Sequence, residues 1–141
     1  MLRSSRVAKR VEELVVWRLG NELREKVHAI TADPPVSKDF RFCSQTRDAA
    51  SSIARNISEG FGRFRPADFA RFMEIAVASL METKDSLKDG LDRGYFTPAR
   101  VGPAQQLAER SIKCSVKFIV YLKSAAEKRR RRRTKNDEPR T

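Results

Sequence analysis

The sequence contains one histidine and only two cysteines, and this scarcity excludes most catalytic and metal-binding arrangements. Cys43 and Cys114 lie far apart and form no CxxC pair, which argues against a zinc site or a disulfide framework. His28 stands alone in a helical pattern and is interpreted as a structural residue. No Walker loop is present, and the segment 60–64 lacks the third glycine of a dinucleotide fingerprint. We therefore expect a protein without catalytic activity and without a bound cofactor.

Long hydrophobic runs are missing as well. The longest apolar stretches are a few residues long, far short of the ~20 residues that a membrane-spanning helix needs. Glu12 and Glu13 interrupt the position where the apolar region of a signal peptide would follow the basic start. Both cysteines have apolar neighbours, which is typical of reduced thiols in a protein core. These features predict a cytoplasmic protein.

The formal net charge is +12, and most of it lies at the two ends of the chain. Residues 128–141 carry eight basic and two acidic side chains, and residues 1–10 carry four basic and no acidic ones. The intervening span 11–127 has a net charge of only +2. Basic ends of this kind commonly bind polyanions, although the same charge can serve solubility alone.

Four stretches place apolar residues at steps of three and four, which is the spacing of one helix face. They span about residues 11–31, 39–62, 66–94 and 97–127, and no segment alternates at the period of two that is typical of a strand. Four helices joined by short links predict an all-α fold, an antiparallel up-down four-helix bundle. The predicted organisation is a basic N-terminal extension (1–10), the bundle (11–127) and a disordered arginine-rich tail (128–141).

Glycine and proline mark the ends of these helices. Gly60 and Gly62 are expected to end the second helix, because glycine readily adopts the left-handed conformation after a helix. Gly94 is expected to end the third helix. The fourth helix begins either at Pro98, after the N-cap residue Thr97, or only at Pro103. Its apolar residues cover so much of its circumference that we expect it to be central or shared with another subunit.

Two groups of basic residues are the candidate nucleic-acid-binding residues. The first group surrounds the second helix and the turn after it, and a salt bridge to Asp48, Glu59 or Glu74 is an equally good interpretation for its members. The second group is the basic run in the tail, which has no aromatic residues interleaved for base stacking. Arginine suits phosphate because its planar fork binds two oxygens at once. The candidates are Arg47, Arg55, Arg63, Arg65, Arg71, Lys128, Arg129, Arg130, Arg131, Arg132 and Arg133.

Four segments resemble a known family of four-helix proteins. They are VVWRLGNELREKVHAIT (15–31), SQTRDAASSIARNISEGFGR (44–63), DFARFMEIAVASLMETKDSL (68–87) and RGYF (93–96). The chain resembles, over about residues 11–125, the proteins encoded by intervening sequences in 23S ribosomal RNA genes. That family includes the accessory variability protein of diversity-generating retroelements. The residues that match its signature are Arg47, Asn56, Glu59, Gly60, Gly62 and Arg63.

The resemblance implies a protomer of four helices that assembles into a barrel-like homopentamer. It also implies a basic surface for nucleic acid, RNA or DNA, and a reverse transcriptase as partner in the retroelement branch. The leading hypothesis is therefore a non-catalytic, homo-oligomeric nucleic-acid-binding or adaptor protein. The alternative is a structural module for protein–protein interaction, in which the charge serves only solubility.

Overall fold

The computed structural model describes residues 8–139, and this part of the chain contains helices and no strands. Four α-helices make up most of it: α1 (Val15–Ile30), α2 (Phe40–Phe61), α3 (Pro66–Asp92) and α4 (Pro98–Asp137). Short 3₁₀ turns precede α1 at Val11–Glu13 and α2 at Val36–Lys38. The all-α prediction is confirmed. Most of the predicted N-terminal extension (residues 1–7) and the last two residues of the tail lie outside the described residues.

The helices pack side by side, and each contacts two others extensively. α2 packs on α1 and α3, whereas α4 packs on α3 and α1. The core consists of the predicted apolar stripes, and its fully buried large side chains come from all four helices. They include Leu23, Ile53, Met73, Leu80 and Val101. The helical periodicity of the sequence therefore identified the buried faces of α1, α2 and α3, whereas Tyr121, which the pattern places on the apolar face of α4, is 64% exposed.

Trp17, which lies beside the stripe of α1, widens the core toward α2. It is half-buried against the core, and its indole N–H donates a hydrogen bond to Ser58 Oγ at 3.1 Å. The indole therefore buries its apolar body while its polar atom keeps a partner.

The junction of α2 and α3 depends on Gly60, in a way that differs from the predicted role. Gly60 is buried inside α2, where a Cβ atom would lie 2.7 Å from Phe69 Cδ1 and 2.8 Å from Phe72 Cβ. Its missing side chain lets α3 approach closely. Gly62 ends the helix with a right-handed φ of −72°, and the left-handed residue is Phe64, with φ 61°. The predicted end of α2 is correct, but the expected left-handed glycine is not there.

The link between α3 and α4 is bonded to the residue that precedes α2. Gly94 adopts φ 78° just after α3, as predicted for a helix stop. Tyr95 follows and donates its hydroxyl to Asp39 Oδ2 at 2.5 Å, while Asp39 Oδ1 accepts from the Phe42 amide at the start of α2. Burial of Phe96 completes this link. Because Asp39 is held by Tyr95 and the Phe42 amide, the pKa of its carboxyl is lowered and that of Tyr95 is raised.

α4 begins at Pro98, and Pro103 lies inside it. Thr97 is the N-cap, since its side chain accepts a hydrogen bond from the Arg100 amide at 3.2 Å. Pro103 lacks the amide that would bond to the carbonyl of Ala99, but Ala99 is exposed, so water can satisfy that carbonyl. Of the two predicted start points, the structure has the earlier one.

The basic tail also differs from its prediction, because residues 128–137 are helical and continue α4 rather than being disordered. Arginine and lysine are good helix formers, and a helix that already exists can extend without a new nucleus. Glu127 supports the extension through contacts with Arg130 and Arg131, three and four residues further on. Basic side chains at a helix C-terminus are also favoured by the helix dipole.

Within residues 8–139, every helix is either too short or too polar to cross a membrane.

Candidate nucleic-acid interface

A groove of about 970 Å³ lies between the first turns of α3 and the last turns of α4. Its lining includes six basic and four acidic side chains, which leaves a net charge of +2. Five of the predicted arginines line it, two from the start of α3 and three from the end of α4. They are Arg65, Arg71, Arg129, Arg130 and Arg133. The fold therefore brings together residues that are about 60 positions apart in the sequence.

The α3 side of the groove carries Arg65 and Arg71. Arg65 is the residue before the first helical residue, and its side chain is exposed. The guanidinium of Arg71 lies 5.1 Å from the centre of the Phe72 ring, a cation–π contact that limits its mobility. The helix N-terminus between them adds a partial positive charge to this wall.

Arg63 shares the Phe72 ring with Arg71 but is paired with a carboxylate. Its guanidinium lies 5.1 Å from the ring centre, and it donates two hydrogen bonds to Glu59 Oε1, at 2.9 and 3.2 Å. The alternative interpretation of Arg63 as a surface ion-pair partner therefore applies. Its charge still lies near the turn that precedes α3, beside Phe64 and Arg65.

The α4 side of the groove is basic but partly neutralised by Glu127. This carboxylate accepts hydrogen bonds from Arg130 at 2.8 Å and from Arg131 at 3.2 Å, and these contacts lower its pKa, with the Arg130 bond the largest cause. Arg129 instead reaches across to the turn before α3 and donates to the backbone carbonyl of Phe64 at 3.4 Å. Arg133 lines the groove with no hydrogen bond or salt bridge among the described residues.

The remaining tail candidates do not line the groove. Lys128, Arg131 and Arg132 are exposed on the other side of the same helical segment. The run of residues 128–133 thus places three basic side chains toward the groove and three away from it. This division cannot be seen in the sequence run, in which the six residues are consecutive.

Arg47 and Arg55, the other two candidates, also lie away from the groove. Arg47 is half-buried and donates from Nε to the hydroxyl of Thr31 at 2.8 Å, which ties α2 to the end of α1. Together with burial and Arg24, it lowers the pKa of His28; burial is the largest of the three causes. Arg55 is exposed on α2.

Sequence reasoning missed two residues at the groove. Lys123 lines it and pairs with Glu74 at 3.4 Å, one turn or more before the basic run. Phe64 precedes the groove-lining residue Arg65, its carbonyl accepts the hydrogen bond from Arg129, and 85% of its surface is exposed. The signal for Phe64 was its position between Arg63 and Arg65 in a turn, where an aromatic side chain has little to pack against.

The part of the chain that the structure describes contains no group of three or more His, Cys, Asp or Glu side chains placed to hold a metal ion. Cys43 is buried, and its thiol is directed at the carbonyl of Val36 at 3.1 Å; burial is the main cause that raises its pKa. Cys114 is half-buried, and neither cysteine forms a disulfide.

Comparison with protein families matches residues 12–117 to the family described as 23S rRNA-intervening sequence protein. The match covers all of α1, α2 and α3 and the first half of α4, and it ends before the basic tail. No match was found among curated proteins.

Proposed function

Because the chain belongs to the 23S rRNA-intervening sequence protein family, we propose that it is a non-catalytic nucleic-acid-binding protein, with RNA as the first candidate ligand. The contact surface in this proposal is the groove between α3 and α4. The observation that carries it is the convergence of five predicted arginines on that groove from two distant parts of the chain. The family's description points to RNA, and the arginines supply the chemistry that binds a phosphate backbone.

The groove suits a sugar–phosphate backbone better than a small ligand. Its basic side chains are exposed and spread along two helices, so they can contact successive phosphates rather than enclose a single anion. The α3 N-terminus offers backbone amides on the same wall. Such contacts are largely independent of base sequence.

We also propose an up-down order of the helices and assembly of the protomers into a homo-oligomer. The antiparallel order of α3 and α4 is supported by one salt bridge between an early position of α3 and a late position of α4, and by a second one between a late position of α3 and an early position of α4. Glu74 contacts Lys123, and Lys84 contacts Glu109. Assembly is supported by apolar side chains on α4 that face solvent, chiefly Val116 (46% exposed), Val120 (65%) and Tyr121 (64%).

Two triple variants with the same loss of charge test the nucleic-acid proposal. The groove variant carries Arg129→Gln, Arg130→Gln and Arg133→Gln. The control carries Lys128→Gln, Arg131→Gln and Arg132→Gln in the same helical segment. Binding of a labelled RNA is measured by fluorescence anisotropy across a salt series.

The groove variant is expected to bind more weakly and to reduce the log–log salt slope by about 2, at about 0.7 per phosphate contact for a single strand. The control variant should change the slope by less than half of that amount. Equal losses in both variants would assign binding to the diffuse charge of the tail and refute the groove. Absence of binding by the wild-type protein at low salt would refute the function itself.

The alternative, a structural module for protein–protein interaction, is favoured by the exposed apolar side chains of α4. Val116 and Val120 lie one turn apart and would suit a helix–helix contact. Under this alternative, Val120→Asp lowers the particle mass measured by light scattering or abolishes capture of a protein partner, whereas both triple variants leave these properties unchanged.

A further inference from the structure

Phe64 combines three features that are individually uncommon. It is a large apolar side chain with 85% of its surface exposed, and its backbone adopts a left-handed φ of 61°. It also sits between Arg63 and Arg65, and its carbonyl accepts a hydrogen bond from Arg129 of the opposite wall of the groove. A non-glycine residue in this conformation is an outlier for a bulky side chain, and such outliers are frequent at functional sites.

The surroundings of Phe64 determine which ligand its ring fits. A protein partner that covered the ring would also desolvate the neighbouring arginines and would need a carboxylate placed at each of them to offset that cost. A nucleic acid supplies an aromatic base for the ring and phosphates for the arginines at the same time. The hydrogen bond from Arg129 joins the Phe64 backbone to a residue that lines the groove, so a base stacked on the ring would adjoin phosphates bound by Arg65 and Arg129.

We propose that Phe64 is a base-stacking residue and that the groove therefore prefers single-stranded RNA to duplex RNA. This inference rests on the proposed function and adds the kind of ligand to it. In a duplex, the base faces are covered by their neighbours in the stack, so the ring can contact only the backbone. In a single strand, an unstacked base can lie on the ring while the flanking phosphates contact Arg65 and Arg129.

The test compares three probes of equal length: an unstructured RNA strand, its duplex, and a strand with abasic sugars that keeps the phosphates but lacks the bases. Phe64→Ala is expected to weaken binding of the single strand about 5- to 150-fold, the range reported for loss of one stacked base. Its affinity for the duplex and for the abasic strand should change less than twofold. Phe64→Trp should retain the preference for the single strand, and Phe64→Leu should lose it.

Phe40 provides a matched control. It is also an exposed phenylalanine (82%), but it lies at the start of α2, whereas Phe64 follows the other end of this 22-residue helix, which is about 33 Å long. Phe40→Ala should leave binding of all three probes unchanged. Circular dichroism and light scattering on each variant check that its fold and particle mass are those of the wild type.

The outcomes separate this inference from the proposed function. If the groove triple variant loses RNA binding while Phe64→Ala binds every probe like the wild type, the function stands and base stacking is refuted. An equal loss for all three probes would assign Phe64 to groove shape and also refute stacking. A change in particle mass with unchanged RNA binding would assign the ring to a protein contact and overturn the inference.

Discussion

Gly60 offers the sharpest test of how this sequence produces the packing beneath the groove. Replacement by alanine adds a Cβ atom 2.7 Å from Phe69 Cδ1, 2.8 Å from Phe72 Cβ and 3.3 Å from Phe69 Cε1. Carbon atoms normally stay about 3.5–4.0 Å apart, so α3 or both phenylalanine side chains must move. Overpacking of this kind costs about 1–3 kcal/mol, whereas the better helix propensity of alanine returns about 1 kcal/mol.

A second glycine isolates the packing contribution. Gly102 lies inside α4, and a Cβ atom there would meet nothing within 4 Å. Gly102→Ala therefore gains the propensity of alanine without the clash and should stabilise the protein by about 0.4–1 kcal/mol. The free energies of unfolding of the two variants should then differ by about 1–3 kcal/mol, with Gly60→Ala the less stable.

Urea unfolding followed by far-UV circular dichroism measures this difference, at equal protein concentration because assembly would couple to stability. A displacement of Phe72 in Gly60→Ala would also move the arginines beside the groove, because the Phe72 ring makes cation–π contacts with Arg63 and Arg71. If Gly60→Ala is as stable as Gly102→Ala within about 0.5 kcal/mol, α2 and α3 do not depend on the missing side chain, and the packing argument is refuted.

Three further predictions concern a carboxylate, a histidine and a helix cap. Glu127→Gln frees Arg130 and Arg131 and should tighten RNA binding roughly threefold at low salt, as expected when one negative charge near the negatively charged RNA is removed in water. Glu109→Gln frees Lys84, which lies away from the groove, and should have no effect on RNA binding. The lowered pKa of His28 means that the unfolded chain binds the proton more readily, so the contribution of His28 to stability is complete above the ordinary pKa of 6.5 and falls as the pH drops below it. His28→Gln should abolish this dependence of the free energy of unfolding on pH, measured by urea unfolding between pH 5 and 8. An unchanged pH dependence would contradict the assignment. Thr97→Ala should destabilise the protein by about 1 kcal/mol through loss of the N-cap of α4, whereas Thr134→Ala in the exposed last turns should stay within about 0.5 kcal/mol of the wild type by the same measurement.

The sequence by itself determined the helices and their buried faces. Apolar residues at steps of three and four defined the stripes of α1, α2 and α3, and Thr97 and Gly94 marked helix ends, because capping and periodicity depend on residues that are close in the chain. The expectation that the usual metal sites and disulfide frameworks are missing likewise came from composition, since the sequence has one histidine and two cysteines. The geometry of a single helix decides which apolar positions share a face, so no tertiary information was needed to find the stripes.

Only the tertiary structure decided which basic residues form one surface. Arg65 and Arg129 lie on facing walls because α3 and α4 pack together, whereas Arg47 bonds to Thr31 at the end of α1. The consecutive residues of the tail divide between two faces because that segment is helical. The role of Gly60 was also decided by the approach of α3 to α2. The grouping of Arg65 with Arg129 and the contact of Arg47 with Thr31 depend on how separate helices pack, and the local pattern of a sequence carries no record of such distances.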